Sequence, residues 1–289
     1  MRVLVVGATG MLGEPVARRL RQDGHEVRVL ARDPDAVAGR FGNAFEIVAG
    51  DVTRVDTLAP ALSGCEGLHI NLRGHNTVTS YREIEQEGVK NLAQAAAAAG
   101  IERISYVSGA GDEAVTASTM LGRIKSEAAA AIRACGVGHT VFKPTHFMES
   151  LPKFIWHGRA TVIGNQPHRY HYLAAADFAR MVSKSFSVPD AANKTLTILG
   201  PDAFTMLGAL RVYCESCRPD VPVGVMPIWG ARMLGILTGN RDLRFAAMLF
   251  AGFRKMGESG DPGEANALLG APVITLPQWC AQQASVDDC

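Results

Sequence analysis

Near the amino terminus, Gly7-Ala8-Thr9-Gly10-Met11-Leu12-Gly13 combines the residue types and spacing that can cradle a pyrophosphate. Glycine is needed where a strand turns sharply, where backbone must approach phosphate oxygens, and where the following helix packs close to the strand. Gly7, Gly10 and Gly13 are spaced for these three duties. The helix that follows offers N–H groups and the positive end of its dipole, and Thr9 adds a hydroxyl donor. An apolar strand enters this loop and a second strand follows its helix, the context that marks a dinucleotide site.

Selection between nicotinamide dinucleotides falls at the end of the second strand, where an acidic side chain would accept from the ribose 2′-hydroxyl of NAD. Here that strand ends in Ala31, followed by Arg32, whose guanidinium suits a 2′-phosphate. The expected cofactor is NADP; NAD takes its place if Arg32 is only an exposed charge and Asp33 holds the ribose. Beyond the third strand, Asp51 and Val52 either hold the adenine, carboxylate on the amine and methyls on the ring, or Asp51 caps a turn or helix.

Ligands of open parallel sheets bind at the carboxyl ends of the strands, which adds three groups of candidates. Asn71, Leu72 and Arg73 fall where the nicotinamide ribose is expected, with Arg73 either a contact for an anionic substrate or a solvated charge. Ser108 either orients a substrate carbonyl or caps a turn. Pro144, Thr145 and Phe147 are placed to wall the nicotinamide, and His146 is either a proton donor or a satisfied structural histidine. Tyr170 and Tyr172, in the cluster with His168 and His171, either enter the pocket or pack on a sheet edge. Asp177 is expected to cap a helix over 178–184.

Short β-branched runs alternating with Ala-rich stretches predict the scaffold, a doubly wound parallel sheet with helices on both faces, a Rossmann α/β fold. Strands are predicted over 3–6, 26–31, 45–48, 67–72, 103–107, 139–143 and 195–199, and helices over 14–23 and 89–99. After Gly200-Pro201 the alternation fades. Residues 206–255 read as helices joined by 219–227, so a cofactor domain over 1–200 and a small, mainly helical, substrate-covering region over 201–289 are expected. The apolar stretch 223–238 contains Pro227 and Arg232 and is too short and interrupted to span a membrane.

The 289 residues carry a formal net charge of +1, which gives no general attraction to nucleic acid or an anionic membrane, so small molecules are the expected partners. Residues 1–6 run directly into the glycine loop with no charged segment or cleavage site before it, and a cytoplasmic protein with reduced cysteines is expected. Cys214-Glu215-Ser216-Cys217 has redox or metal spacing but lacks a second ligand pair and reads as structural. Cys289, as the last residue of this sequence, is not expected to be a prenylation site.

These motifs, with Val29-Leu30-Ala31-Arg32-Asp33-Pro34, Gly50-Asp51-Val52, Gly88-Val89-Lys90-Asn91-Leu92, Tyr106-Val107-Ser108-Gly109, Lys125-Ser126-Glu127, Lys143-Pro144-Thr145-His146-Phe147-Met148-Glu149 and Asp177-Phe178-Ala179, resemble the atypical short-chain dehydrogenase/reductase proteins of the NmrA-like group. That group includes isoflavone-reductase-like enzymes and cofactor-sensing regulators. The resemblance implies a Rossmann fold, an NAD(P) site and, for Lys125, a place beside the nicotinamide ribose. Where the family carries Tyr-x-x-x-Lys, this chain has Leu121-Gly122-Arg123-Ile124-Lys125, so the usual proton donor is replaced by an alkyl group. Lys143 stands before Pro144, where relatives often have arginine. In the isoflavone-reductase-like relatives a lysine at the position of Lys125 is thought to serve as base or proton relay without any tyrosine. Lys125 then either has a pKa lowered towards neutrality by desolvation beside the cofactor, or is a ribose-binding or exposed helix lysine with no proton role.

Three functions are consistent with these residues: an NADPH-dependent reductase of a small carbonyl, enone or quinone compound; a regulator that holds NADP without chemistry; and an accessory protein at a membrane, suggested by apolar and basic residues over 226–255.

Overall fold

The computed structural model describes residues 1–109 and 119–287. In chain order its first half runs β1 (Arg2–Val6), α1 (Gly13–Gln22), β2 (Glu26–Ala31), α2 (Pro34–Phe41), β3 (Glu46–Ala49), α3 (Leu58–Leu62), β4 (Gly67–Ile70) and α4 (Val78–Tyr81). A π-helical stretch, Arg82–Glu87, then leads into α5 (Gly88–Ala98), β5 (Arg103–Val107), α6 (Met120–Ala134) and β6 (Gly138–Pro144). The second half contributes β7 (Ile155–Trp156), β8 (Arg159–Ile163), β9 (Arg169–Tyr172), α7 (Ala175–Ser185), β10 (Lys194–Ile198) and β11 (Asp202–Thr205). It ends with α8 (Met206–Cys217), β12 (Val223–Met226), α9 (Ile228–Leu237), α10 (Arg241–Phe253), α11 (Gly263–Leu269) and α12 (Leu276–Asp287).

Seven strands form one parallel sheet in the order β10-β6-β5-β4-β1-β2-β3. The order reverses between β1 and β4, and at such a switch the loops leaving the two strands part to open a crevice. Central strands of this kind are buried on both faces, which is why 3–6 is apolar throughout rather than alternating. Val3 and Val5 face α1 and α7 in one core; Leu4 and Val6 face α3, α5 and α6 in the other. All seven sheet strands lie within two residues of the predicted bounds.

The helices after residue 205 form as expected, but three short strand pairings accompany them. β12 pairs parallel with β8, which pairs antiparallel with β7, and β11 pairs antiparallel with β9. A third core joins β8, β9, α8 and α12 through Met148, Tyr172, Leu210, Tyr213 and Trp279. Tyr170 and Tyr172 belong to it, so the packing expectation for these two residues holds.

Asp177 does not cap its helix. Ala174 occupies the cap of α7, while the buried Asp177 carboxylate accepts from the N–H groups of Val273 and Ile274 at 2.8 Å each. Arg180, one turn on, donates to the carbonyls of Leu269 and Ala271. Together they stitch the carboxyl-terminal segment to the sheet's outer helix. The five described cysteines are free thiols, and Cys217 donates to the Cys280 carbonyl; Cys289 lies outside the described residues. No described helix is long and apolar enough to cross a membrane.

Candidate functional site

Gly7 adopts φ +81°, a left-handed backbone that disfavours side chains, and a Cβ there would lie 1.9 Å from the Asn71 carbonyl oxygen at the end of β4. A Cβ on Gly13 would lie 2.1 Å from the Gly7 carbonyl oxygen. These two glycines therefore let β1, β4 and α1 converge. Ala8 and Leu12 anchor the loop in the core, Thr9 and Gly10 are exposed, and Met11 is half-buried. Leu12 sits at the cap of α1 with no side-chain cap, and of the first-turn N–H groups that of Glu14 is taken by the Gly10 carbonyl at 3.2 Å. A loop that only glycine permits, opening on an uncapped helix start, fits a dinucleotide pyrophosphate.

Arg32 is exposed beyond β2, while the Asp33 carboxylate caps α2 by accepting from Ala36 N–H at 3.2 Å. The cap commits the acid that would otherwise compete for the ribose. Asp51 closes an Asx turn on Thr53, accepting from its N–H at 2.9 Å and its hydroxyl at 2.8 Å. Burial alone would raise this carboxyl; the Thr53 hydrogen bonds and the charges of Arg32 and Arg54 outweigh it and hold the group below the usual carboxylate range. Val52 is buried against Gly88, and its carbonyl accepts from the Asn91 amide at 2.9 Å.

At the β4 end, Asn71 N–H bonds to the Val6 carbonyl, Leu72 packs on the core, and Arg73 is exposed with its Nε 3.4 Å from the Tyr81 hydroxyl. Across the crevice mouth, Lys153 brings its Nζ within 3.3 Å of the Met11 sulfur. Burial and the nearby Arg73 charge push the Lys153 ammonium below its ordinary value. Lys153 thus sets a cation against the glycine loop, with the Arg73 charge nearby. Lys153 escaped the sequence reading because nothing in the 148–154 segment announces it.

Lys125 lies on the second turn of α6, with its stem beside Gly109 and its ammonium 2.7 Å from the Glu85 carboxylate. Glu85 is buried on the π-helical stretch and also accepts from Gly74 N–H at 2.8 Å. Burial would lower the lysine; the attraction and hydrogen bond of Glu85 outweigh it and hold the ammonium well above the usual lysine range. The depression towards neutrality entertained for Lys125 is overturned by this carboxylate. The neighbouring Tyr106 hydroxyl is buried without a hydrogen-bond partner among the described residues, and burial raises its pKa. Leu121 packs with Tyr81, Ile124 and Phe245.

Ser108 closes β5 with its N–H on the Phe142 carbonyl. Pro144 is buried at the end of β6, and the Thr145 hydroxyl donates to Glu258, which also accepts from the His171 N–H. His146 is caged by Tyr170, Tyr172 and Phe253, with the Tyr170 ring centroid 4.3 Å away. Burial lowers its pKa to about 4, so the ring is uncharged at neutral pH and holds no extra proton to give. Phe147 turns inward onto Phe178, at 5.3 Å between ring centroids, instead of walling the crevice. Glu258, which no motif marks, ties the loop after α10 to this wall.

Residues 7–188 match the NAD(P)H-binding family. The chain belongs to that family. Among proteins similar to this NAD(P)H-binding chain, a photosystem II assembly factor Ycf39 of Cyanophora paradoxa is 24% identical over 239 residues, covering 79% of this chain and 72% of that one. An NAD(P)H azoreductase of Xenophilus azovorans is 24% identical over 240 residues, covering 82% and 80%. The fold superposes on the triphenylmethane reductase of Citrobacter sp., solved with NADP(H), with a TM-score of 0.78 at 17% identity, over 98% of this chain and 100% of that one. The nicotinamide dinucleotide expected from the glycine loop is thus the cofactor class of the family.

Proposed function

We propose that this chain is an NADPH-dependent reductase of a small carbonyl, enone or quinone-type compound. The observation that carries the proposal is the Lys125–Glu85 ion pair, whose ammonium would serve as a fixed cation beside the nicotinamide. Gly7 to Gly13 and the start of α1 would hold the pyrophosphate, Arg32 the 2′-phosphate, and Asp51 with Val52 the adenine end. When bound, the reduced nicotinamide supplies a hydride. Lys125 would donate a hydrogen bond to the substrate oxygen and stabilise the negative charge developing there, while Glu85 orients the ammonium. Leu121 has no proton to offer and the neutral His146 no extra one, so delivery would fall to solvent, the charged lysine or the Tyr106 hydroxyl beside it. The azoreductase and triphenylmethane reductase similarities are consistent with small, conjugated acceptors.

The test gives purified protein NADPH with a panel of ketones, enones, quinones and azo dyes. NADPH oxidation above background supports the proposal; demonstrated binding without turnover on any class overturns it. Arg32→Asp should move the preference from NADPH towards NADH.

A second function, a regulator holding NADP without chemistry, is favoured by the packing of Leu121 into an apolar cluster, which leaves no hydroxyl at the usual acid's position. The similarity to an assembly factor is in keeping with it. It predicts different affinities for NADP and NADPH together with no turnover; equal affinities would remove its basis.

A further inference from the structure

Among the described residues, seven of the ten large apolar side chains that lie open on the surface fall between Val225 and Met248. Most are on α9, which is apolar almost all round yet buried only along Ala231 and Gly235. Those two small residues let α10 approach closely: a Cβ on Gly235 would meet the Arg244 stem at 2.7 Å. The opposite stripe, Trp229, Met233, Ile236 and Leu237 at helical spacing, is 50–77% exposed. A contiguous open stripe of this kind marks an interaction surface, not ordinary surface composition.

Its charge selects the occupant. From Val223 to Lys255 the chain carries Arg232, Arg241, Arg244, Arg254 and Lys255 against the single acid Asp242. Among the described residues none of these five cations is in an ion pair. The whole protein is near neutral, so the excess is local. A two-fold contact with a second copy would set these cations against themselves. An anionic bilayer surface takes both features: tryptophan and aliphatic side chains enter the headgroup boundary while arginines reach phosphates. At ten residues, α9 is about 15 Å long and would lie in the interface, not cross it.

We propose that α9, with the start of α10, is an in-plane anchor for an anionic lipid surface, with Trp229, Met233, Ile236 and Leu237 inserted and Arg232 and Arg241 on the headgroups. The full chain is floated with vesicles of phosphatidylcholine alone or with roughly 30% phosphatidylglycerol. Flotation with the anionic vesicles only, weakened at about 0.5 M salt, is expected. The exposed pair Trp229→Ser and Leu237→Ser should lower the partition coefficient at least about tenfold without changing the thermal midpoint. Failure of the natural chain to float with anionic vesicles overturns the proposal, as does equal flotation of the double variant. A lipid-free dimer in sedimentation that the double variant dissociates, with no flotation, also overturns it and makes the stripe a self-interface.

Discussion

A lysine that meets a buried carboxylate keeps its proton, and this decides what Lys125 can do. As a fixed cation it can polarise an oxygen and cannot act as a neutral base. Lys125→Met should lower kcat/KM on an active acceptor by about 100-fold, with Lys125→Arg retaining part of the activity. Between roughly pH 6 and pH 9 the rate should show no inflection from Lys125 in the natural protein. Glu85→Gln removes the partner that raises the lysine, so a basic-limb inflection should appear; it should also lower stability by about 1–3 kcal/mol, because the Gly74 N–H and the ammonium lose a charged acceptor. Lys153 is a different case, a cation over the glycine loop with a sulfur and another cation for neighbours. Lys153→Met is expected to weaken NADPH binding about 3- to 10-fold at low salt, the worth of one hydrogen bond, with the difference shrinking as salt is added. Titration calorimetry of both proteins measures it.

At the scale of elements, two contacts hold the fold together. Gly7→Ala would force a side chain into a left-handed turn and into the Asn71 carbonyl 1.9 Å away, so β1 and β4 must separate at the switch point. A loss of at least about 2 kcal/mol and of NADPH binding is expected, read by denaturant unfolding and calorimetry. The second contact is remote from the crevice. Asp177→Ala leaves the Val273 and Ile274 N–H groups and the Arg180 guanidinium without their carboxylate. A cost of about 2–4 kcal/mol and faster proteolysis over 254–275 should follow, because the segment carrying α11 loses its tie to α7.

For the whole molecule, acid should be the sensitive direction. His69, fully buried with Nδ1 on the Ser105 hydroxyl, is held down to about 3, and His146 to about 4, both by burial. The unfolded chain takes up these protons near pH 6.5 and the folded chain does not, so stability present above that value is lost as pH falls through about 6.5 towards 4. Glu149, held above the carboxylate range by burial, works in the opposite direction and blunts the loss at the low end. Urea midpoints across this range should fall with pH in the natural protein and more gently in His146→Phe, which keeps the aromatic cage without the titrating ring.

What the chain alone determined is what depends on neighbours a few positions apart. The glycine loop is read from steric demands within seven residues, and the sheet from β-branched runs alternating with helical stretches. Tertiary structure decided each feature whose partner is distant in sequence. Lys125 was legible through its motif, but its charge state depends on Glu85, which sits in a π-helical stretch with nothing local to mark it. Asp177 looked like a helix cap because caps are the commonest local use of aspartate; its acceptors are spent on a segment that folds back from near the end of the chain. His146 and Phe147 followed a strand end towards the crevice by rule, and packing turned one into an aromatic cage and the other into the core. The glycine loop could be read alone because it satisfies itself. A side chain's pKa and orientation could not, because they are set by whatever the fold brings against it.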